Sequence, residues 1–290
     1  MFDNQTYIGR FAPSPTGPLH LGSLYTALAS FLDAKSQHGL WLLRIDDLDT
    51  PRNIAGATEL ILKTLEVFGL HWDGSVVYQS QSTKYYEEAL QRLELSQLIY
   101  ACQCSRKSLA TDGPCYCGEK KLDLTLPHAY RVKITPKTIA FIDQLQGLIS
   151  ENRVDQTDFV IKRKDQIIAY QFAVVMDDHL QGITHVVRGY DLLASTSKQI
   201  YLQQLLGLTT PHYMHVPIII DAHGFKLSKQ TLAEGVDLNR PEQLLYELLG
   251  LLRQNPTIAL RHASVQEQLS WGIAHWNPQA LSDCQTITWA

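Results

Sequence analysis

The run Arg10-Phe11-Ala12-Pro13-Ser14-Pro15-Thr16-Gly17-Pro18-Leu19-His20-Leu21-Gly22-Ser23 constrains this chain more than any other part of it. Pro13, Pro15, Gly17 and Pro18 continue neither a strand nor a helix, so they impose a stiff loop. Ahead of them, Tyr7 to Phe11 reads as a strand. Behind them, apolar residues recur at Leu21, Leu24, Tyr25, Leu28, Phe31 and Leu32, the spacing of a helix with one buried face. The loop therefore delivers His20, Gly22 and Ser23 to a helix N-terminus. Unpaired N–H groups and the positive end of the dipole receive phosphates there. A histidine in that place can donate to a triphosphate, and Gly22 admits a group close to the backbone. For a shorter match, an ordinary βα turn without a ligand would be the simpler reading.

The strand–helix order continues downstream. Gly39 is expected to end the first helix, and Leu40 to Ile45 reads as a buried strand. Asp46-Asp47-Leu48-Asp49 then lies at its carboxyl edge, where open α/β sheets gather ligands. Helices are predicted over Thr58 to Phe68, closed by Gly69, and over Thr83 to Leu95. Strands at Pro127 to Ile134 and Asp158 to Ala169, separated by a loop-rich segment, read as an insertion. The α/β pattern returns as Val174 and Val175 lead to Asp177-Asp178-His179. Val186 to Gly189 reaches another strand end, followed by a helix over Ser195 to Leu206 and a strand over His215 to Ile220. From Asn239 onwards the chain reads as helical. The expected layout is residues 1–95 and 166–235 as two halves of a parallel-sheet domain, 96–165 inserted between them, and 236–290 as a small helical region.

Composition places this among soluble globular chains, with 290 residues that are 45% hydrophobic and 19% charged. No apolar run approaches the roughly 20 residues that span a bilayer, so no membrane partner is expected. Met1 to Gly9 lacks a signal pattern, and a cytoplasmic location is the expectation. A formal net charge of −4 argues against broad nonspecific nucleic-acid binding. Arg106-Lys107 and Lys162-Arg163-Lys164 remain as local RNA-binding runs or as solvated faces. Four of five cysteines crowd into Cys102-Gln103-Cys104 and Cys115-Tyr116-Cys117. In a chain of this kind such clustering suits one structural, tetrahedral Zn²⁺ better than disulfides. Four reduced cysteines on a loop are the alternative. Cys284 stands apart.

Far downstream, Lys226-Leu227-Ser228-Lys229-Gln230 follows Asp221-Ala222-His223-Gly224. On its own it reads as a solvated loop. Coming after the N-terminal run, it completes a pair that resembles the two signatures of class I aminoacyl-tRNA synthetases. Three segments narrow the resemblance to the glutamate enzymes: the opening Arg10 to Gly17, Leu43-Arg44-Ile45-Asp46-Asp47-Leu48-Asp49, and Val187-Arg188-Gly189-Tyr190-Asp191-Leu192. It covers most of residues 7 to 235 and leaves no room for a large anticodon-binding region. That arrangement resembles the truncated paralogues, the glutamyl-queuosine tRNA(Asp) synthetases. The fold implied is α/β: a class I synthetase Rossmann-type parallel sheet, an inserted zinc-containing subdomain and a small C-terminal helical region.

The resemblance implies roles. Arg188 would hold the glutamate side-chain carboxylate through its planar fork. Arg10, Phe11, Ala12, Pro13 and Ser14 would line the other side of the amino acid, and Tyr170 would close the pocket. Asp46 would pair with the α-ammonium, although the family usually has the longer Glu there. His20, Gly22 and Ser23 would hold ATP, with Ser23 where the family often has histidine. Lys226 and Lys229 would neutralise charge on departing pyrophosphate, with Mg²⁺. Zinc is held in the family by three cysteines and a tyrosine, which would let Tyr116 replace one thiolate; the two Cys-x-Cys pairs make four sulfurs, Cys102, Cys104, Cys115 and Cys117, the first choice. The expected reaction is tRNA-independent activation of glutamate by ATP, then transfer to queuosine in the anticodon loop of tRNA(Asp), by a monomeric enzyme. Alternatives are a catalytic core that charges a tRNA acceptor end, a ligase acting on a small-molecule acceptor, and a non-catalytic RNA-binding module derived from a synthetase.

Overall fold

The computed structural model of the chain describes residues 6–105, 107–109, 115–135, 138–152, 158–225 and 235–289. Strand β1 (Ile8–Phe11) pairs in parallel with β2 (Leu40–Ile45), with Ile8 opposite Leu40 and Phe11 opposite Leu43. Helix α1 (Leu21–Ser36) makes the crossover. Its expected apolar face is buried from Leu24 to Leu32, with Leu21 half-buried, and Ala27, Ala29 and Ala34 are buried on other faces, so α1 is covered nearly all round. The left-handed residue at its end is His38 rather than Gly39. Gly39 is needed for another reason: a Cβ there would lie 2.5 Å from the Tyr7 carbonyl oxygen. β3 (Val77–Tyr78) extends this sheet in parallel beyond β2. Helices α2 (Ala57–Val67) and α3 (Thr83–Leu95) form where their periodicity places them, and Gly69 takes the positive φ that closes α2.

The second half is a four-stranded sheet. β9 (His185–Gly189) and β10 (His212–Val216) run parallel, joined by α5 (Leu193–Leu206), which ends at Gly207 in a left-handed conformation. The segment expected to be loop-rich contains a hairpin, β6 (Thr138–Asp143) and β7 (Gly147–Asn152), and β6 pairs with β10. The two sheets meet where the Thr184 N–H donates to the Ile8 carbonyl and the Ile8 N–H donates to Thr184 Oγ1, both at 2.9 Å. Residues 170–180 form helix α4 (Tyr170–Leu180), whereas Val174 and Val175 were expected to lead along a strand. Every residue from Phe172 to Asp178 is buried, and a short fully apolar run carries no period that distinguishes helix from strand. Pro217 divides the expected strand over His215 to Ile220 into β10 and β11 (Ile218–Ile220).

Within residues 96–165, expected to be an insertion, β4 (Ile99–Cys102), β5 (Ala129–Val132) and β8 (Phe159–Lys162) form an antiparallel sheet, whereas β6 and β7 of the same stretch join the sheet of β9 and β10. The C-terminal region contains α6 (Pro241–Leu251) and α7 (Val265–Ala274), with a capping box from Ser264 to Glu267. It also contains a strand that was not expected, β12 (Thr286–Thr288), parallel to β11. Leu245, Leu248, Leu249 and Leu269 join α1 and β2 in one core, while α3, α4 and α5 share a second with Val132, Ile161 and Val186. A Cβ on Gly272 would stand 3.1 Å from both Leu249 and Leu32, so this contact is close.

Candidate active site and cysteine cluster

The proline loop is tied down along its length. Pro13 O accepts the Asp46 N–H and Pro15 O accepts the Ile54 N–H, each at 2.9 Å. His20 is the N-cap of α1, with Nδ1 accepting the Ser23 N–H at 3.2 Å and Nε2 3.0 Å from Ser23 Oγ. A cavity of about 490 Å³ opens against this helix start. Arg10, Phe11, Ala12, Pro13 and Ser14 line it, and so do His20, Gly22 and Ser23. Asp46 at the end of β2, Tyr170 at the start of α4 and Arg188 on β9 complete the set of expected residues within reach of one small ligand.

Behind the cavity lies a buried ionic cluster. Arg44 is fully buried and donates from Nε to Asp46 Oδ1 at 2.8 Å and from Nη1 to Asp178 Oδ1 at 2.7 Å. Arg10 also donates to Asp178, from Nε to the same Oδ1 at 3.1 Å and from Nη2 to Oδ2 at 3.3 Å. Asp177 lies 3.8 Å from Arg44 Nε and accepts from Gln79 at 2.7 Å and Tyr86 at 2.6 Å. Two guanidinium groups thus face three carboxyl groups, a formal excess of one negative charge when all three are ionised, and burial pushes the Asp177 carboxyl up. Burial pushes the Asp46 carboxyl up to about 6, although the Arg44 guanidinium pulls the other way. Asp178 is held low: burial opposes its charge, but Arg10 and Arg44 outweigh that penalty. Arg44, Asp177 and Asp178 had been assigned no role from sequence. A lone arginine in the apolar strand Leu40 to Ile45 was the available signal.

Lys226 and Lys229 lie outside the described residues. Their flanks are described. Ile218 and Ile219 of β11 line the cavity, and beyond the lysine segment the Val236 N–H donates to Leu19 O at 3.0 Å, next to His20. Of the two basic runs, Arg106 is outside the described residues. In the other, Arg163 donates to Asp49 at 3.3 Å and Asp165 at 2.6 Å, and Lys164 donates to Gln103 O at 2.7 Å. The Arg163–Asp49 contact links the sheet of β4, β5 and β8 to the segment that follows β2, and the other two lie within residues 96–165.

The sulfurs of Cys102, Cys104, Cys115 and Cys117 all lie within 4.8 Å of one another. Three of the separations are 3.4, 3.5 and 3.8 Å. A tetrahedron with metal–sulfur bonds of about 2.3 Å has edges of about 3.8 Å, so the set matches a four-thiolate zinc site. Tyr116 is 54% exposed between two of the cysteines, and the cluster is complete in sulfur without it. Arg131 Nε donates to Cys102 Sγ at 3.3 Å, a positive group that suits a thiolate. Burial opposes ionisation of Cys115, but the Cys117 N–H and neighbouring groups hold its thiol down at about 7.

The family profile described as tRNA synthetases class I (E and Q), catalytic domain, matches residues 8–112 and 118–254. The glutamyl-Q tRNA(Asp) synthetase of Neisseria meningitidis serogroup C is 48% identical over 284 residues, covering 93% of this chain and 96% of that protein. The chain belongs to the glutamyl-Q tRNA(Asp) synthetase family. It is a ligase-type enzyme of class I synthetase fold. A second member, from Vibrio vulnificus, is 45% identical over 98% of this chain and 94% of its own length. Among solved structures, a glutamate tRNA ligase from Elizabethkingia meningosepticum in complex with its amino acid superposes with a TM-score of 0.82 at 25% identity. That match covers 99% of this chain and 67% of the ligase. A methionyl-tRNA synthetase of Mycobacterium tuberculosis shares the fold at a TM-score of 0.53 and 10% identity.

Proposed function

We propose that this enzyme activates glutamate with ATP in the absence of tRNA and transfers it to queuosine at the wobble position of tRNA(Asp). The observation that carries this reading is 45–48% identity over 93–98% of the chain to glutamyl-Q tRNA(Asp) synthetases, together with one cavity lined by the expected glutamate residues and by His20, Gly22 and Ser23. Arg188 binds the side-chain carboxylate and the charge-excess cluster at Asp46 receives the α-ammonium. Holding both ends of the substrate aligns its α-carboxylate for in-line attack on the α-phosphorus of ATP. The carboxylate oxygen forms the new P–O bond as the bond to pyrophosphate breaks, leaving glutamyl-adenylate. His20 and the N–H groups at the start of α1 hold the phosphates. Lys226 and Lys229, with Mg²⁺ brought by ATP, neutralise the departing pyrophosphate. A hydroxyl of the queuosine cyclopentenediol then attacks the adenylate carbonyl and displaces AMP.

The four cysteines are proposed to hold one structural zinc ion, which supplies a rigid cross-link and no chemistry. Metal analysis of protein purified without chelator should give about one zinc per chain. Two assays test the reaction. ATP–pyrophosphate exchange should require glutamate and proceed without tRNA. Labelled glutamate should appear on queuosine-containing tRNA(Asp) and be absent from the queuosine-free transcript. Equal labelling of both tRNAs would point instead to charging of the acceptor end and sink the modified-base assignment.

A further inference from the structure

Arg188 is braced by buried groups that the proposed reaction does not use. Its Nε donates to His215 Nε2 at 3.0 Å and its Nη2 donates to Thr196 Oγ1 at 2.8 Å. The Tyr213 ring lies beneath it, with the guanidinium carbon 5.3 Å from the ring centre. Nη1 has no protein partner among the described residues, and Arg188 lines the cavity.

A guanidinium carries only donors, so His215 must meet it with a lone pair on Nε2. The imidazole proton then belongs on Nδ1, which lies 2.6 Å from Asp143 Oδ2. Asp143 is itself fixed from behind. Its Oδ1 accepts the backbone N–H groups of Leu145 at 3.1 Å, Gln146 at 3.0 Å and His215 at 3.3 Å. His215 is wholly buried and Asp143 is 1% exposed. Burying a carboxylate and an imidazole costs desolvation that an apolar pair would not incur. What the polar pair adds is direction, because only one tautomer can accept from Arg188. In the other tautomer two N–H groups would oppose each other and turn the guanidinium away.

We propose that Asp143 and His215 are positioning residues for glutamate selection: Asp143 sets His215 as the Nδ1–H tautomer, and the Nε2 lone pair holds Arg188 at the angle that engages the substrate's side-chain carboxylate. The inference rests on the reading of Arg188 as the glutamate-binding arginine. It adds residues from β6 and β10 to a site whose lining comes from other elements.

Asp143→Asn keeps the oxygen that accepts three backbone N–H groups but turns an amide N–H toward Nδ1. The ring proton moves to Nε2, and the Arg188 Nε loses its acceptor while Nη2 keeps Thr196. In glutamate-dependent ATP–pyrophosphate exchange, KM for glutamate should rise roughly ten- to hundredfold, the range for losing a hydrogen bond to a charged group. KM for ATP should stay within about twofold, since no ATP contact is lost. His215→Phe should match that effect, and His215→Gln, which places an acceptor near the Nε2 position, should restore most of the glutamate affinity. The ¹⁵N-histidine spectrum of the resting enzyme, with His215 assigned from its variant, should show Nδ1 protonated and Nε2 bare, and Asp143→Asn should reverse that pattern. Should His215→Phe not fold, Asp143→Asn and the spectrum decide the matter. A wild-type KM for glutamate in Asp143→Asn, or Nε2 protonated in the resting enzyme, would overturn the proposal. Absence of glutamate-dependent exchange in the wild type would instead overturn the functional reading, and the spectrum tests the tautomer independently of it.

Discussion

Asp46 departs from the glutamate-enzyme pattern by one methylene, and the structure shows what its carboxylate does. It lies 2.8 Å from the Arg44 guanidinium, within a cluster that holds one more carboxylate than it has cations. An ammonium ion would balance that excess, provided Asp46 is ionised. Burial raises its carboxyl to about 6, so the free enzyme takes up this proton as pH falls through that value. KM for glutamate should therefore be flat above pH 7 and rise roughly tenfold per unit below about 6. Asp46→Asn should abolish this dependence and keep KM high throughout. Arg44 carries the other half of the argument. Replacing it with Met leaves Asp46, Asp177 and Asp178 buried with Arg10, which touches only Asp178, as the remaining cation, and should cost about 3–5 kcal/mol in urea unfolding. The Arg44 position was legible as an oddity of sequence, but its partners were not, because Asp178 lies 134 residues away.

At the scale of elements, local signals placed some boundaries well and misplaced others for identifiable reasons. Strand β2 and helix α3 occupy the expected residues because each has a clear pattern and a clear end. Helix α4 was misplaced because burial on all sides removed its polar face. The β6–β7 hairpin was hidden in a segment whose partner, β10, comes some 70 residues later. Gly39 closes α1 as expected, its N–H donating to Ala34 O at 2.8 Å, but its lack of a side chain answers a second demand. A Cβ there would strike the Tyr7 backbone, so Gly39→Ala must part β1 from β2 and should cost about 1–3 kcal/mol by thermal or urea unfolding. The Ser264 cap on α7 is a smaller matter. Ser264→Ala removes the reciprocal bond with Glu267 and should cost about 1 kcal/mol.

Across the whole molecule, the cavity and the cysteine cluster are separately built. Described cavity residues come from positions 10 to 46 and 170 to 219, and none from the inserted sheet of β4, β5 and β8. Loss of the proposed zinc should accordingly spare the first step more than the second. In Cys104→Ala or Cys117→Ala, glutamate-dependent exchange should persist while transfer to tRNA(Asp) falls, with metal content near zero. Parallel loss of both activities at full folding would contradict this division. Residue order alone determined the proline loop, the helix start at His20, the cysteine spacing and most helices, because capping, stiffness and periodicity act over a few neighbouring residues. Tertiary structure alone decided that Arg10, Arg44 and Asp178 share one cluster, and that Asp143 stands behind His215 and Arg188. Electrostatic partnership depends on distance in space, and a chain that folds back on itself does not write those distances into its local pattern.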